Sequence, residues 1–129
     1  MRYLDSSVVL AEILAERKRP PADFWAASLV SSRLLAVEVW TRLHAYQVAD
    51  AQRERARSIL EVLSILDLDP PVLARAIEPF PQPIRALDAI HLASADFLRR
   101  QGEDITIATY DARMGMTAQA MGFELYPLE

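Results

Sequence analysis

Cysteine is absent from this chain of 129 residues, glycine occurs three times, and Lys18 is the only lysine. Without cysteine there is no disulfide and no thiolate metal site, so any metal must be held by oxygen or imidazole, and the composition fits a reducing, cytoplasmic setting. Glycines that first appear at Gly102 leave no room for a Gly-rich phosphate loop. No apolar run approaches the roughly 20 residues that span a bilayer, and Arg2 followed by Asp5 makes no secretory signal, so neither membrane insertion nor export is expected. A hydrophobic fraction of 52% is nonetheless ample for a core, and the length fits a single domain over residues 1–129.

Strand and helix patterns alternate along almost the whole chain. Arg2–Leu4 reads as a short strand and Ser6–Arg17 as a helix stopped by Arg17-Lys18-Arg19-Pro20-Pro21. A short helical piece over Asp23–Ala27, a strand at Leu29–Ser32 and a long helix over Leu35–Ala49 follow. Gln52–Leu63 has helical period with a polar outer face, and is expected to form an antiparallel hairpin with the helix before it. Ser64–Leu68 reads as a strand and Val72–Ile77 as a helix. The proline-dense loop Pro79-Phe80-Pro81-Gln82-Pro83 then delivers the chain to a central apolar helix from Asp88, closed by Arg99-Arg100-Gln101-Gly102. Ile105–Ala108 is a buried strand, Asp111–Met121 a helix with Gly122 as its stop, and Phe123–Tyr126 the last strand. The alternation implies a three-layer α/β/α sandwich with a mainly parallel central sheet, whose ligands bind beyond the carboxyl ends of the strands.

Four acids stand where that geometry could gather them. Asp5 and Asp111 directly follow strands, Asp88 opens the central helix, and Glu38 lies beside the buried stripe Leu35, Val39 and Leu43. Three of them also have a plainer role: Asp5 and Asp88 as helix N-caps, Glu38 as an ion-pair partner of Arg42 at i+4. A carboxylate at the edge of a buried stripe is costly unless paired or metal-bound, however, and several in one cleft could not all ionise without a cation between them. All-oxygen ligation suits Mg²⁺ or Mn²⁺, ions that keep waters and take phosphates as further ligands. His91, one turn beyond Asp88, could share such a metal but reads more simply as a packing residue. Asp96 is two turns beyond Asp88, on the order of 12 Å along the axis, too far to share its ion.

The net charge of −4 argues at first against a nucleic-acid partner. If the four acids hold metal, though, the remaining charges balance, and all but one of the 14 basic residues are arginine, the side chain best shaped for phosphate. Competing acidic sites fit less well. A haloacid-dehalogenase-like phosphatase needs an Asp where Ser7 stands, and a receiver domain needs a lysine after a late strand.

Leu4-Asp5-Ser6-Ser7-Val8-Val9-Leu10, Ala36-Val37-Glu38-Val39, Leu87-Asp88-Ala89-Ile90-His91-Leu92-Ala93 and Thr109-Tyr110-Asp111-Ala112-Arg113-Met114 together resemble the four signature stretches of the PIN-domain nucleases, in order across the chain. The single-domain length resembles the VapC-type toxins of toxin–antitoxin pairs. The resemblance implies a PIN-like fold and a Mg²⁺-dependent endoribonuclease, with Mn²⁺ as a substitute ion, acting on RNA at a site of one or two ions. It also implies a homodimer, held inactive by a cognate antitoxin whose C-terminal segment enters the acidic cleft. By resemblance Asp5, Glu38, Asp88 and Asp111 are the metal-binding acids and Ser7 and Thr109 their hydroxyl supports, with either Thr109 or Asp111 as the nearer fourth ligand. His91 and Arg85 recur near the third motif but fall outside the primary site. The reading of a different class is a PIN-like module that binds a protein or RNA without cutting it.

Overall fold

The computed structural model describes residues 1–129. Five strands, β1 (Arg2–Leu4), β2 (Leu29–Ser32), β3 (Ser64–Leu66), β4 (Thr106–Ala108) and β5 (Glu124–Leu125), form one sheet in the order β3-β2-β1-β4-β5. Every pairing is parallel, with Tyr3 opposite Val30 on one side and Ile107 on the other. Six α-helices cover it: α1 (Ser6–Ile13), α2 (Leu34–Ala45), α3 (Arg53–Glu61), α4 (Pro70–Ala76), α5 (Ala86–Arg100) and α6 (Ala112–Ala120). A 3₁₀ turn at Ala22–Ala26 leads into β2.

The pleat sorts the core into two layers. Leu4, Leu29 and Ala108 face one side of the sheet and pack with Val8, Val9, Leu35, Val39 and Leu43 from α1 and α2. Tyr3, Val30 and Ile107 face the other, against Leu92 and Ala95 of α5 and Met114 and Ala118 of α6. With both faces covered, the central strands are buried, β2 at all of its positions, Ser31 and Ser32 included. The α/β/α sandwich expected from the alternation is the fold observed, and its sheet is wholly parallel. The hairpin expected of α2 and α3 is a lesser feature, because both helices pack principally against α1.

Sheet order reverses at β1, whose sequence neighbour β2 lies on one side and β4 on the other. The loops that leave the carboxyl ends of β1 and β4 therefore diverge and open a crevice between them, the general position for a ligand in an open parallel sheet. Asp5 follows β1 and Thr109-Tyr110-Asp111 follows β4.

Helix ends explain where sequence boundaries and observed boundaries part. Four helices close with the same paired hydrogen bonds, in which the last turn's carbonyls accept two amides from beyond the end: Ala15 and Glu16 after α1, Gln47 and Val48 after α2, Gly102 and Glu103 after α5, Gly122 and Phe123 after α6. The first residue of each pair is left-handed, at φ 50 for Ala15, 59 for Gln47, 96 for Gly102 and 90 for Gly122. Glycine announces this stop in a sequence; alanine and glutamine do not. Accordingly α5 and α6 end within a residue or two of expectation, whereas α1 ends at Ile13 rather than Arg17 and α2 at Ala45 rather than Ala49.

Asp96 of α5, too far from Asp88 to join it, has a structural use. Its buried carboxylate takes Arg75 of α4 at 2.9 Å and Arg99 and Arg100 of its own helix at 2.8 and 3.3 Å. Burial alone would raise its pKa, but the hydrogen bonds from Arg99 and Arg75 and the charge of Arg100 hold it below the usual carboxylate range. These bonds join α4 to the second half of α5, the helix that carries Asp88 in its first turn.

Because an L-residue at positive φ costs about 1 kcal/mol relative to glycine, Ala15→Gly is expected to stabilise the protein by about 0.5–1 kcal/mol. Urea unfolding followed by circular dichroism should show a higher midpoint at unchanged slope, and Gly122→Ala the opposite shift.

Candidate metal centre

Asp5 occupies the N-cap position of α1, yet its side chain makes no capping hydrogen bond. It turns instead to two hydroxyls. Ser7 Oγ donates to Asp5 Oδ1 at 2.5 Å and Thr109 Oγ1 donates to Asp5 Oδ2 at 2.8 Å. Each hydroxyl is oriented in turn by a backbone amide from the β4 loop, Tyr110 N–H to Ser7 Oγ and Asp111 N–H to Thr109 Oγ1, both at 2.9 Å. These bonds join the loop after β1 to the loop after β4 across the switch point.

Asp88 lies in the first turn of α5, which begins at Ala86, and it caps nothing. Asp111 does cap its helix, with Oδ1 accepting Arg113 N–H at 2.9 Å and Met114 N–H at 3.3 Å. The capping role expected of Asp5 and Asp88 thus fails for both, and the aspartate that caps is Asp111, through one oxygen. Glu38 has no ion pair with Arg42, whose guanidinium lies 5.9 Å from the Tyr46 ring. Its Oε1 meets Nε2 of His91 at 2.5 Å.

Glu38, Asp88 and Asp111 line one cleft of about 460 Å³ with Ser7, and Asp5 lies just beneath it, 5% exposed. Arg85 and Asp88 border both this cleft and an adjoining pocket of about 480 Å³ that includes Gln82, Arg113 and Thr117. The acids are close enough to disturb one another. Burial pushes Asp5 above its usual pKa despite the Ser7 and Thr109 bonds, and Glu38 adds to the rise. Asp88 is raised by burial, then by the charges of Asp111 and Glu38, with Arg85 opposing.

No three of the histidines and acids lie close enough together to grip one ion directly. A hard divalent cation does not require that, since Mg²⁺ keeps several waters and takes only one or two carboxylates of its own. An all-oxygen ring whose members raise one another's pKa fits such an ion. It fits a soft metal poorly, and both nitrogens of His91 are already engaged, with Tyr3 and Glu38.

Sequence reasoning gathered the four acids and the two hydroxyls that the structure places around one crevice, but it assigned His91 to packing. The available signal was its place three residues after Asp88, which puts both on one face of α5. Arg85, left outside the primary site, and Arg113, not singled out in the sequence, line one pocket with Asp88.

Residues 2–119 match the PIN domain family. The chain is 33% identical over 130 aligned positions to ribonuclease VapC47 of Mycobacterium tuberculosis (strain CDC 1551 / Oshkosh), covering 95% of this chain and 93% of that one. It is 37% identical over 127 positions to ribonuclease VapC46 of M. tuberculosis (strain ATCC 25618 / H37Rv), covering 93% and 92%. Among solved structures it superposes on M. tuberculosis VapC20, a sarcin–ricin loop cleaving toxin, with a TM-score of 0.67 over 98% of this chain and 100% of that one, at 19% identity, which speaks to the fold alone.

The raised pKa values fix the sign of a pH effect. A carboxyl whose folded-state pKa lies above its unfolded value contributes stability that is full below the unfolded pKa and is lost as pH rises through the folded one. In EDTA, Asp88→Asn is therefore expected to melt above the wild type at neutral pH, with the gap closing as the pH falls through the carboxylate range. Melting curves of both proteins from pH 7 to 4 check this.

Proposed function

The chain belongs to the PIN-domain family and to its VapC-type ribonucleases, and from that premise we propose that it is a divalent-metal-dependent endoribonuclease, the toxin of a toxin–antitoxin pair. Asp5, Glu38, Asp88 and Asp111 would hold Mg²⁺, or Mn²⁺ in its place, with Ser7 and Thr109 as hydroxyl supports. The single observation that carries this reading is the convergence of the four acids around one crevice at the switch point, where burial first and then the neighbouring carboxylates push Asp5 and Asp88 above their ordinary pKa.

When bound, such an ion supplies Lewis acidity, lowering the pKa of an attacking water and offsetting charge that develops on the phosphate. The chain's own residues do the rest. Ser7 and Thr109 spend their protons on Asp5, fixing both of its oxygens. Asp111 commits Oδ1 to its helix and leaves Oδ2 for the cleft. Arg42 and Arg85 on the cleft wall offer guanidinium groups to the RNA backbone, which the acidic centre would otherwise repel. Tyr46 and Tyr110 beside them present rings on which a base can stack.

The same cleft is where we place the cognate antitoxin, since its wall also carries Leu10, Leu14 and Leu87. A homodimer would cover apolar side chains left in solvent, among them Val37, 61% exposed, and Ile77, 88% exposed. No helix is long and apolar enough to cross a membrane. The cytoplasmic setting rests on the lack of cysteine.

Antitoxin-free protein incubated with total RNA and tRNA is expected to cut at discrete positions with Mg²⁺ or Mn²⁺ and not with EDTA. Asp5→Asn and Asp88→Asn, folded as judged by circular dichroism, should lose on the order of 100-fold or more of that activity. Unchanged cleavage by either variant contradicts the site. Metal binding without any cleavage favours instead a PIN-like module that binds RNA or protein without cutting.

A further inference from the structure

Two side chains behind the crevice have no part in the scheme above, although they meet in a fully buried polar contact between side chains. Tyr3 on β1 is 0% exposed and His91 on α5 is 1% exposed. The tyrosine Oη lies 2.7 Å from His91 Nδ1, with the rings edge to face at 73°. On its other side His91 presents Nε2 to Glu38 Oε1 at 2.5 Å. A continuous line of hydrogen bonds therefore runs from beneath the sheet to one oxygen of a cleft carboxylate.

The direction of the last bond follows from valence. An ionised carboxylate can only accept, so Nε2 carries the proton and donates it to Glu38 whichever role Nδ1 takes toward the phenol. Burial raises the Tyr3 pKa and keeps the phenol neutral, with the hydroxyls of Ser31, Ser32 and Ser94 around it. His91 consequently has no lone pair free for a cation. Glu38, which would otherwise swing about three side-chain torsions on the surface of α2, has Oε1 tied down and Oε2 uncommitted.

We propose that Tyr3 and His91 are positioning residues that aim Glu38 at the cation site, with Tyr3 fixing the imidazole and the imidazole fixing the carboxylate. The inference rests on the metal site proposed above and adds two residues to it. It also accounts for a shared economy of elements. The strand that ends in Asp5 supplies Tyr3, and the helix that opens with Asp88 supplies His91, so two elements that each carry an acid of their own also set the direction of a third acid on α2. Groups that orient metal-ligating side chains typically cost about 10–100-fold in metal affinity when removed.

The test is a Mn²⁺ titration read by melting temperature, without RNA, on wild type, His91→Leu, His91→Gln and Tyr3→Phe. An ion that binds only the folded protein raises its melting temperature as the logarithm of one plus the ratio of its concentration to its dissociation constant, so a fit to each curve gives that constant, the half-saturating concentration. His91→Leu is expected to need about 10-fold more Mn²⁺ than wild type. His91→Gln, whose amide nitrogen can take the place of Nε2, should return to within about 3-fold, and Tyr3→Phe, which keeps the ring and removes only the hydroxyl, should fall between. A lower metal-free melting temperature with unchanged half-saturation in His91→Leu and Tyr3→Phe would reduce the pair to packing and overturn the proposal. Equal weakening in His91→Gln and His91→Leu would overturn it too, because the hydrogen bond would then not be the cause. If His91→Leu does not fold, Tyr3→Phe and His91→Gln decide by the same criteria. Absence of any Mn²⁺ effect on the wild type would remove the metal site itself, a failure distinct from that of the relay.

Discussion

Asp5 is a carboxylate with almost no access to solvent, and the loops on both sides of the switch point are arranged around keeping it there. Its two oxygens accept from Ser7 and Thr109, and those hydroxyls are held by the amides of Tyr110 and Asp111. A buried charge is tolerated only with such partners, so the loop after β4 must sit against the start of α1 for Asp5 to ionise at all. That constraint fixes where Asp111 stands. Because Asp111 caps α6, which packs on the same sheet face as α5, it also limits where Asp88 can lie. The geometry of the crevice thus follows from satisfying one side chain.

Two aspartates on α5 show how the protein separates stability from chemistry. Asp96 is surrounded by three arginines and held below its ordinary pKa, a pattern that favours the folded state. Asp88, two turns earlier, is raised by burial and by the charges of the acids it faces. The second arrangement opposes folding unless a cation relieves it, and unrelieved like charges of this kind are characteristic of functional sites rather than of structural ones. Arg75 and Asp96 tie α4 to the same helix that carries Asp88.

Much of this was readable in the sequence because it depends on local pattern. The apolar runs before Asp5 and Asp111, and the proline-dense loop before Asp88, mark strand-to-helix and loop-to-helix junctions, and a parallel sheet brings such junctions to one edge. Ordered spacing of four acidic motifs carried the family resemblance. What could not be read depended on contacts distant in the chain. His91 looked like a core residue on an apolar helix, and nothing near it in sequence points to Glu38, 53 positions away, or to Tyr3, 88 positions away. The ends of α1 and α2 were misplaced because Ala15 and Gln47 take the left-handed conformation without the glycine that usually signals it. The capping role anticipated for Asp5 and Asp88 belongs to Asp111 instead, because Asp5 is taken by two hydroxyls and Asp88 lies inside the first turn of α5 rather than before it.

The most direct test of the acidic crevice is a crystal structure of the wild-type protein grown with Mn²⁺ and measured for anomalous scattering. The expected peak lies among Asp5, Glu38, Asp88 and Asp111, bound directly by one or two of them and through water by the others. Manganese bound elsewhere, or no peak in the crevice at millimolar Mn²⁺, would contradict the assignment of these four carboxylates as a metal centre.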